Sequence, residues 1–162
     1  MQTPPAQTII DLLKINQAVI RREMNGITQA ESLVQPPYPG NCLNWVLGHI
    51  LTGRDTILRL MNLEPEFTPD QTAVYDRGSA PLTNPGQAVD VEDLLERLNS
   101  SQRKLIARLE EIGAAGLEME VAFGRGSEPL GGAIAFLQWH EAYHTGQLDI
   151  LRQVAGKNDH VI

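Results

Sequence analysis

Apolar residues recur at helical spacing in four stretches of the chain, and prolines and glycines punctuate the connections between them. From about Thr8 to Met24, Ile9, Leu12, Leu13, Ile15, Val19 and Ile20 supply an apolar stripe, which stops at Asn25-Gly26. After the loop Gln35-Pro-Pro-Tyr-Pro-Gly40, Asn41 is placed to cap a second helix reaching about Asn62. A third helix is expected from about Val89 to Ile112, carried by Leu94, Leu98, Leu105 and Leu109 and stopped by Gly113. The last runs from about Pro129 to Val154 and ends at Gly156. Before it, Leu117, Met119, Val121 and Phe123 alternate with polar or small residues, which reads as a short extended segment entering the Gly124-Arg125-Gly126 turn. Residues 63–88 carry Pro65, Pro69, Pro81 and Pro85 and are expected to form a long connection with one helical turn inside it. Connections of that length are often functional.

The second helix is apolar on more than one side. With His49 at zero and a step of about 100° per residue, Cys42, Trp45, Val46, Gly53, Thr56 and Leu60 lie within about 60° of it. Leu47, Leu51 and Leu58 point the other way. Such a helix is either central in a bundle or part of a subunit contact, and a homodimer is expected on that ground.

Bulk properties narrow the partners. A chain of 162 residues with 42% hydrophobic and 20% charged residues has the length and composition of one ordinary globular domain, so residues 1–162 are read as a single all-α, four-helix-bundle unit. Its formal charge of −7, with 13 scattered Lys and Arg, supplies no basic stripe for nucleic acid. The lone Cys42 cannot form an internal disulfide and fits a reducing compartment. The first residues lack the basic and apolar regions of a secretory signal, and no apolar run approaches the roughly 20 residues that span a bilayer. A cytoplasmic protein without membrane or nucleic-acid partners is expected.

Trp139-His-Glu-Ala-Tyr-His144 is the sharpest local signal. An i, i+4 pair on a helix sets His140 and His144 on one face with Cβ atoms roughly 6 Å apart, so both imidazoles can chelate one ion. Phe136, Leu137, Gln147, Leu148 and Leu151 share that face, and Gln138, Ala142 and Asp149 point away, so the pair is expected to face the apolar core. Buried imidazoles need partners, since an unpaired buried polar group costs about 1–3 kcal/mol. A metal ion supplies them, and His49, on the apolar face of another helix, completes a three-histidine set. The segment also matches H-E-x-x-H. The wheel sets Glu141 about 100° from His140 and no third ligand follows at protease spacing, since His160 lies in a polar tail; Glu141 is retained as a general-base candidate. Trp45, Thr52, Thr56, Tyr143 and Gln147 are candidates to line a pocket around the ion. Cys42 is read as packing, and Asp149 and Arg152 as surface.

At these residues the sequence resembles the DinB-like (DinB/YfiT) superfamily of metal-dependent enzymes. The resemblance is carried by Asn44-Trp-Val-Leu-Gly-His-Ile50 and His140-Glu-Ala-Tyr-His-Thr-Gly-Gln-Leu148, in that order and separation. It implies an up-down-down-up four-helix bundle holding one divalent ion on His49, His140 and His144. It also implies the activities known among members, thiol-dependent isomerases and thiol S-transferases, and no DNA binding.

Two functions from different classes follow. One is a transferase, isomerase or hydrolase in which zinc, nickel or a similar ion on three neutral imidazoles acidifies a thiol or a water, with a low-molecular-weight thiol as partner. The other is a metal- or small-molecule-binding module without turnover. A third reading, a metal-free helical dimer with histidines in its core, is separated from both by elemental analysis.

Overall fold

The computed structural model describes residues 3–159, so His160 lies outside the described residues. Helix α1 (Ala6–Met24) is followed by the short α2 (Gln29–Ser32), which a reciprocal Thr28/Glu31 capping box holds in place. Helix α3 (Leu43–Leu60) starts one residue later than the sequence suggested, with Cys42 rather than Asn41 at the cap position. It ends where Asn62 turns left-handed (φ 58°) and the Leu63 amide donates back to the Leu58 carbonyl at 2.8 Å. The connection that follows is more ordered than one turn. It holds α4 (Pro69–Tyr75), started by Thr68 with Pro69 in the first turn, and a 3-10 turn at Pro85–Gln87. Helix α5 (Val91–Leu117) is broken at Gly113 (φ 56°, ψ −159°), the expected stop, and one more turn follows the break. The extended segment is a hairpin, β1 (Glu120–Phe123) against β2 (Gly126–Pro129), which leads directly into α6 (Leu130–Val154).

Helix directions follow from which residues meet. Gln17 reaches Arg54, and Arg54 reaches Glu141, while at the other end the Glu23 carbonyl meets Arg152, so α1 and α6 run parallel. Asn44 meets Val89 and Arg54 meets Leu98, so α3 and α5 are also parallel. Ile20 shares a core cluster with Leu47, and Leu13 shares the other with Ile57, so α1 and α3 are antiparallel and the order is up-down-down-up. Two parallel neighbours need a connection as long as the helices themselves, about 27 Å for an 18-residue helix. That requirement explains the long segment carrying α4.

The apolar core is split in two. One cluster gathers Ile20, Leu47, Leu51, Leu94 and Leu148; the other gathers Leu13, Ile57, Leu105, Ile134 and Leu137. Between them all four long helices contribute a polar layer: Gln17, Arg54, Ser101 and Glu141. Arg54 and Glu141, 0% and 3% exposed, form a two-point ion pair with Nε–Oε2 at 2.8 Å and Nη2–Oε1 at 2.7 Å. The Arg54 Nη1 group donates to Gln17 Oε1 (2.7 Å) and the Leu98 carbonyl (2.9 Å). The charge is thus buried but satisfied, the condition under which such a pair is tolerated.

Three expectations change here. First, the core-facing stripe of α6 runs through Ile134, Gln138, Glu141, Thr145, Leu148 and Arg152, whereas Phe136 is 50% exposed and Gln138 only 8%. His140 and His144 are therefore half-buried beside the stripe rather than on it, because the polar layer draws the sector about 100° round to Glu141 and Thr145. Second, Arg152 is buried rather than at a surface. It donates to the Glu23 and Asn25 carbonyls at the end of α1, both at 2.7 Å, and pairs with Asp159. Third, both apolar faces of α3 are covered within one chain, which removes the ground on which a dimer was expected.

Candidate metal centre

The site is built from α3 outward. Asn44, Trp45, Gly48 and His49 occupy successive turns facing the end of α4, and each has a separate task there. The Asn44 side chain accepts from the Tyr75 hydroxyl at 3.0 Å and donates to the Val89 carbonyl at 2.9 Å. Trp45 Nε1 donates to the Val74 carbonyl (3.0 Å) and Ser79 Oγ (2.9 Å). Gly48 seats the Tyr75 ring, since a Cβ there would lie 2.3 Å from Tyr75 Cδ1. His49 Nδ1 meets the Tyr75 carbonyl at 2.7 Å. A carbonyl only accepts, so Nδ1 carries the proton and the Nε2 lone pair is free. The Trp45 indole stacks on the imidazole with centroids 4.8 Å apart and fixes its plane.

Helix α6 brings the other two rings. His140 and His144 stand 5.1 and 4.7 Å from His49 between centroids, and one ligand nitrogen from each of the three lies within 4.8 Å of the others. His144 Nδ1 donates to Gln147 Oε1 at 2.7 Å, which again frees Nε2, and that Nε2 lies 3.1 Å from His140 Nε2.

This donor set fits a divalent ion. Imidazole nitrogens bind zinc at about 2.0–2.1 Å, so two of them on a tetrahedral ion stand about 3.3 Å apart. Outer nitrogens held by a carbonyl and an amide oxygen are the orienting contacts that ligating histidines require. The protonation chemistry points the same way. Burial lowers the pKa of His140, reinforced by the charges of His49 and Arg77. Burial also pushes His144 down to about 4, against the opposing hydrogen bond of Gln147. Neutral imidazoles, the form that can ligate, are favoured.

A cavity of about 650 Å³ opens beside the rings, with Trp45, Gln147 and Arg77 among its lining residues. Of the other residues expected at the pocket, Thr52 and Thr56 spend their hydroxyls on α3 carbonyls, donating to His49 (2.8 Å) and Thr52 (3.0 Å). Neither lines the cavity. Tyr143 is 59% exposed and meets the edge of His144 from outside. Glu141, the general-base candidate, faces away from the cavity and has both carboxylate oxygens engaged by Arg54. The H-E-x-x-H match is thus a coincidence of spacing: its glutamate belongs to the polar layer. Cys42 is buried, and burial pushes its thiol up, which makes it inert.

Sequence reasoning missed Tyr75, whose carbonyl orients His49, because the contact spans 26 residues of an irregular connection. The available signal was Gly48, a glycine in mid-helix beside a histidine.

Comparisons with known proteins agree with this architecture. A DinB-like protein from Bacillus cereus has a TM-score of 0.73 at 18% identity, over 99% of this chain and 100% of that one. A conserved protein from Enterococcus faecalis has a TM-score of 0.70 at 17% identity, over 93% of this chain and 97% of that one. At such identities the likeness is one of fold. No curated protein matches the sequence. The sequence profile of the DinB superfamily, however, matches residues 12–148, a span that reaches into all four long helices and includes the three histidines. On that match, the chain belongs to the DinB superfamily.

Proposed function

We propose that this protein is a metal-dependent enzyme that activates a small thiol for transfer or isomerisation, with His49, His140 and His144 holding the ion. The observation that carries the reading is the pair of hydrogen bonds from His49 and His144 to outer partners, which leaves Nε2 lone pairs converging at the edge of a cavity. Among the described residues no Cys, Asp or Glu joins the three, so open positions remain, as in catalytic rather than structural sites. A bound zinc or nickel ion would supply Lewis-acid activation of a thiol or a water there, since neutral ligands leave its charge uncompensated.

The protein's own residues favour the thiol over hydrolysis. No carboxylate lines the cavity and Glu141 is committed elsewhere, so among the described residues no side-chain base other than the ligands is at hand. A thiol, with an ordinary pKa near 8.5, needs far less help to ionise than water does. Trp45, held by the turn after α4, fixes the plane of His49, and Gln147 keeps His144 in its ligating tautomer. Among the described residues no helix is long and apolar enough to cross a membrane, and a reducing cytoplasm would suit both a thiol substrate and free Cys42.

Elemental analysis of protein purified without an affinity tag tests the metal. About one ion per chain is expected, falling sharply in H49A, H140A or H144A; unchanged stoichiometry in any of the three overturns the ligand set. Glutathione, bacillithiol and mycothiol, offered with electrophilic acceptors, test the activity. Consistent inactivity of metal-loaded protein would favour a binding module instead.

A further inference from the structure

The cavity beside the histidines is electrostatically one-sided. The chain has 20 Asp and Glu residues and a net charge of −7, yet none of them lines this cavity. Its fixed cation is Arg77. Among the described residues, the Arg77 guanidinium enters no ion pair or side-chain hydrogen bond; Arg21, Arg22, Arg59, Arg103 and Arg125 enter none either, and Arg77 differs from them in lining this cavity.

The Arg77 backbone is held in place, and its side chain is exposed. It sits at the tip of a turn closed by the Ser79 amide on the Asp76 carbonyl at 3.1 Å, with Gly78 supplying the required positive φ of 86°. Both flanks of that turn are tied to the histidine cluster. Val74 and Ser79 take the Trp45 indole N–H, and the Tyr75 carbonyl takes His49 Nδ1. The same contacts that orient the imidazole thus carry a guanidinium to the cavity mouth. Val46, Ile150, Leu151 and the Trp45 ring line the same cavity and suit an apolar body.

We propose that Arg77 is the specificity-determining residue of this cavity and selects a small thiol bearing an anionic group, carboxylate or sulfonate, at the end remote from the sulfur. A planar guanidinium matches such oxyanions with two parallel hydrogen bonds. The assignment deepens the metal-thiol reading above, and its test separates the two.

Cobalt(II)-loaded protein gives a visible spectrum that reports thiol binding. 3-Mercaptopropionate, 2-mercaptoethanesulfonate and neutral 2-mercaptoethanol are titrated into wild type, R77Q, R77K and R77E. The readout is the ratio of anionic to neutral dissociation constants within each variant, which removes general losses of folding or metal. Wild type should prefer at least one anionic thiol by about fivefold, the upper end for an exposed ion pair. R77Q should lose the preference, R77K should keep part of it, and R77E should reverse it. An anionic preference that persists in R77Q, or none in wild type, overturns the assignment. If cobalt fails to bind, the metal reading falls. The anion site is then judged on metal-free protein by whether 3-mercaptopropionate slows phenylglyoxal modification of Arg77, and an unprotected Arg77 overturns it as well.

Discussion

Helices α3 and α6 meet twice through polar groups, and the two meetings are opposites. At mid-bundle, Arg54 and Glu141 are buried, oppositely charged and fully engaged with each other, Gln17 and the Leu98 carbonyl. One residue away along α6, His140 joins His49 and His144 in a cluster of like groups at the edge of a cavity, with lone pairs turned inward. The first arrangement is complete without a ligand. The second is open: outer contacts engage Nδ1 of His49 and of His144, and the inward nitrogens converge at the cavity edge. Adjacent residues on one helix thus separate the closed polar layer from the open histidine cluster by about 100° of rotation.

The largest expected effect comes from breaking the closed cluster. R54A or E141A leaves a buried charge without its partner and should destabilise the fold by about 3–5 kcal/mol in urea unfolding. Replacing both residues together by leucine or methionine should restore much of that loss, since well-packed apolar substitutes for a buried ion pair are often neutral.

G48A attacks the junction between the closed and open regions. The added methyl group collides with the Tyr75 ring, so a loss of about 1–3 kcal/mol is expected in thermal or urea melts. It should also weaken metal binding, because Tyr75 carries the carbonyl that orients His49.

Q147A leaves the closed cluster untouched and removes the outer partner of His144. Metal affinity should fall about tenfold, read by competition with a chromophoric chelator, with little change in unfolding free energy.

Acidification should sharpen the contrast further. The folded-state pKa of His144 is about 4, below the ordinary 6.5, so between those values the unfolded chain takes up the proton more readily than the folded one. The stability associated with neutral His144 is present above pH 6.5 and is lost as the pH falls towards 4. Metal-free protein should therefore show a melting temperature that drops across this window, with a smaller drop in H144A. Bound metal should be released at a pH below the usual histidine range.

Much of this architecture was readable from spacing. The four amphipathic stretches, the break at Gly113 and the grouping of His49 with His140 and His144 required only periodicity and the resemblance of two short motifs. The orientation of α6 was not readable. A wheel gives angles between residues but does not say which sector the bundle buries, and apolar Phe136 argued for the wrong one. Residues as polar as Glu141 and Arg152 enter a core only because partners elsewhere in the bundle satisfy them. Those partners lie 87 positions away for Glu141 and 129 for Arg152. The role of the α4 segment was hidden likewise, since its carbonyls at Val74 and Tyr75 act through backbone that leaves no side-chain signature.

The turn after α4 has a consequence for how such a protein changes what it accepts. Its grip on α3 passes through Val74, Tyr75 and Ser79, two of them by backbone atoms, while Asp76, Arg77 and Gly78 project between those anchor points. Arg77 can therefore be exchanged while Gly78 keeps the positive φ of the turn and the imidazoles stay where they are. New preferences at the cavity would arise from one or two substitutions, leaving the three-histidine cluster and the four-helix scaffold intact.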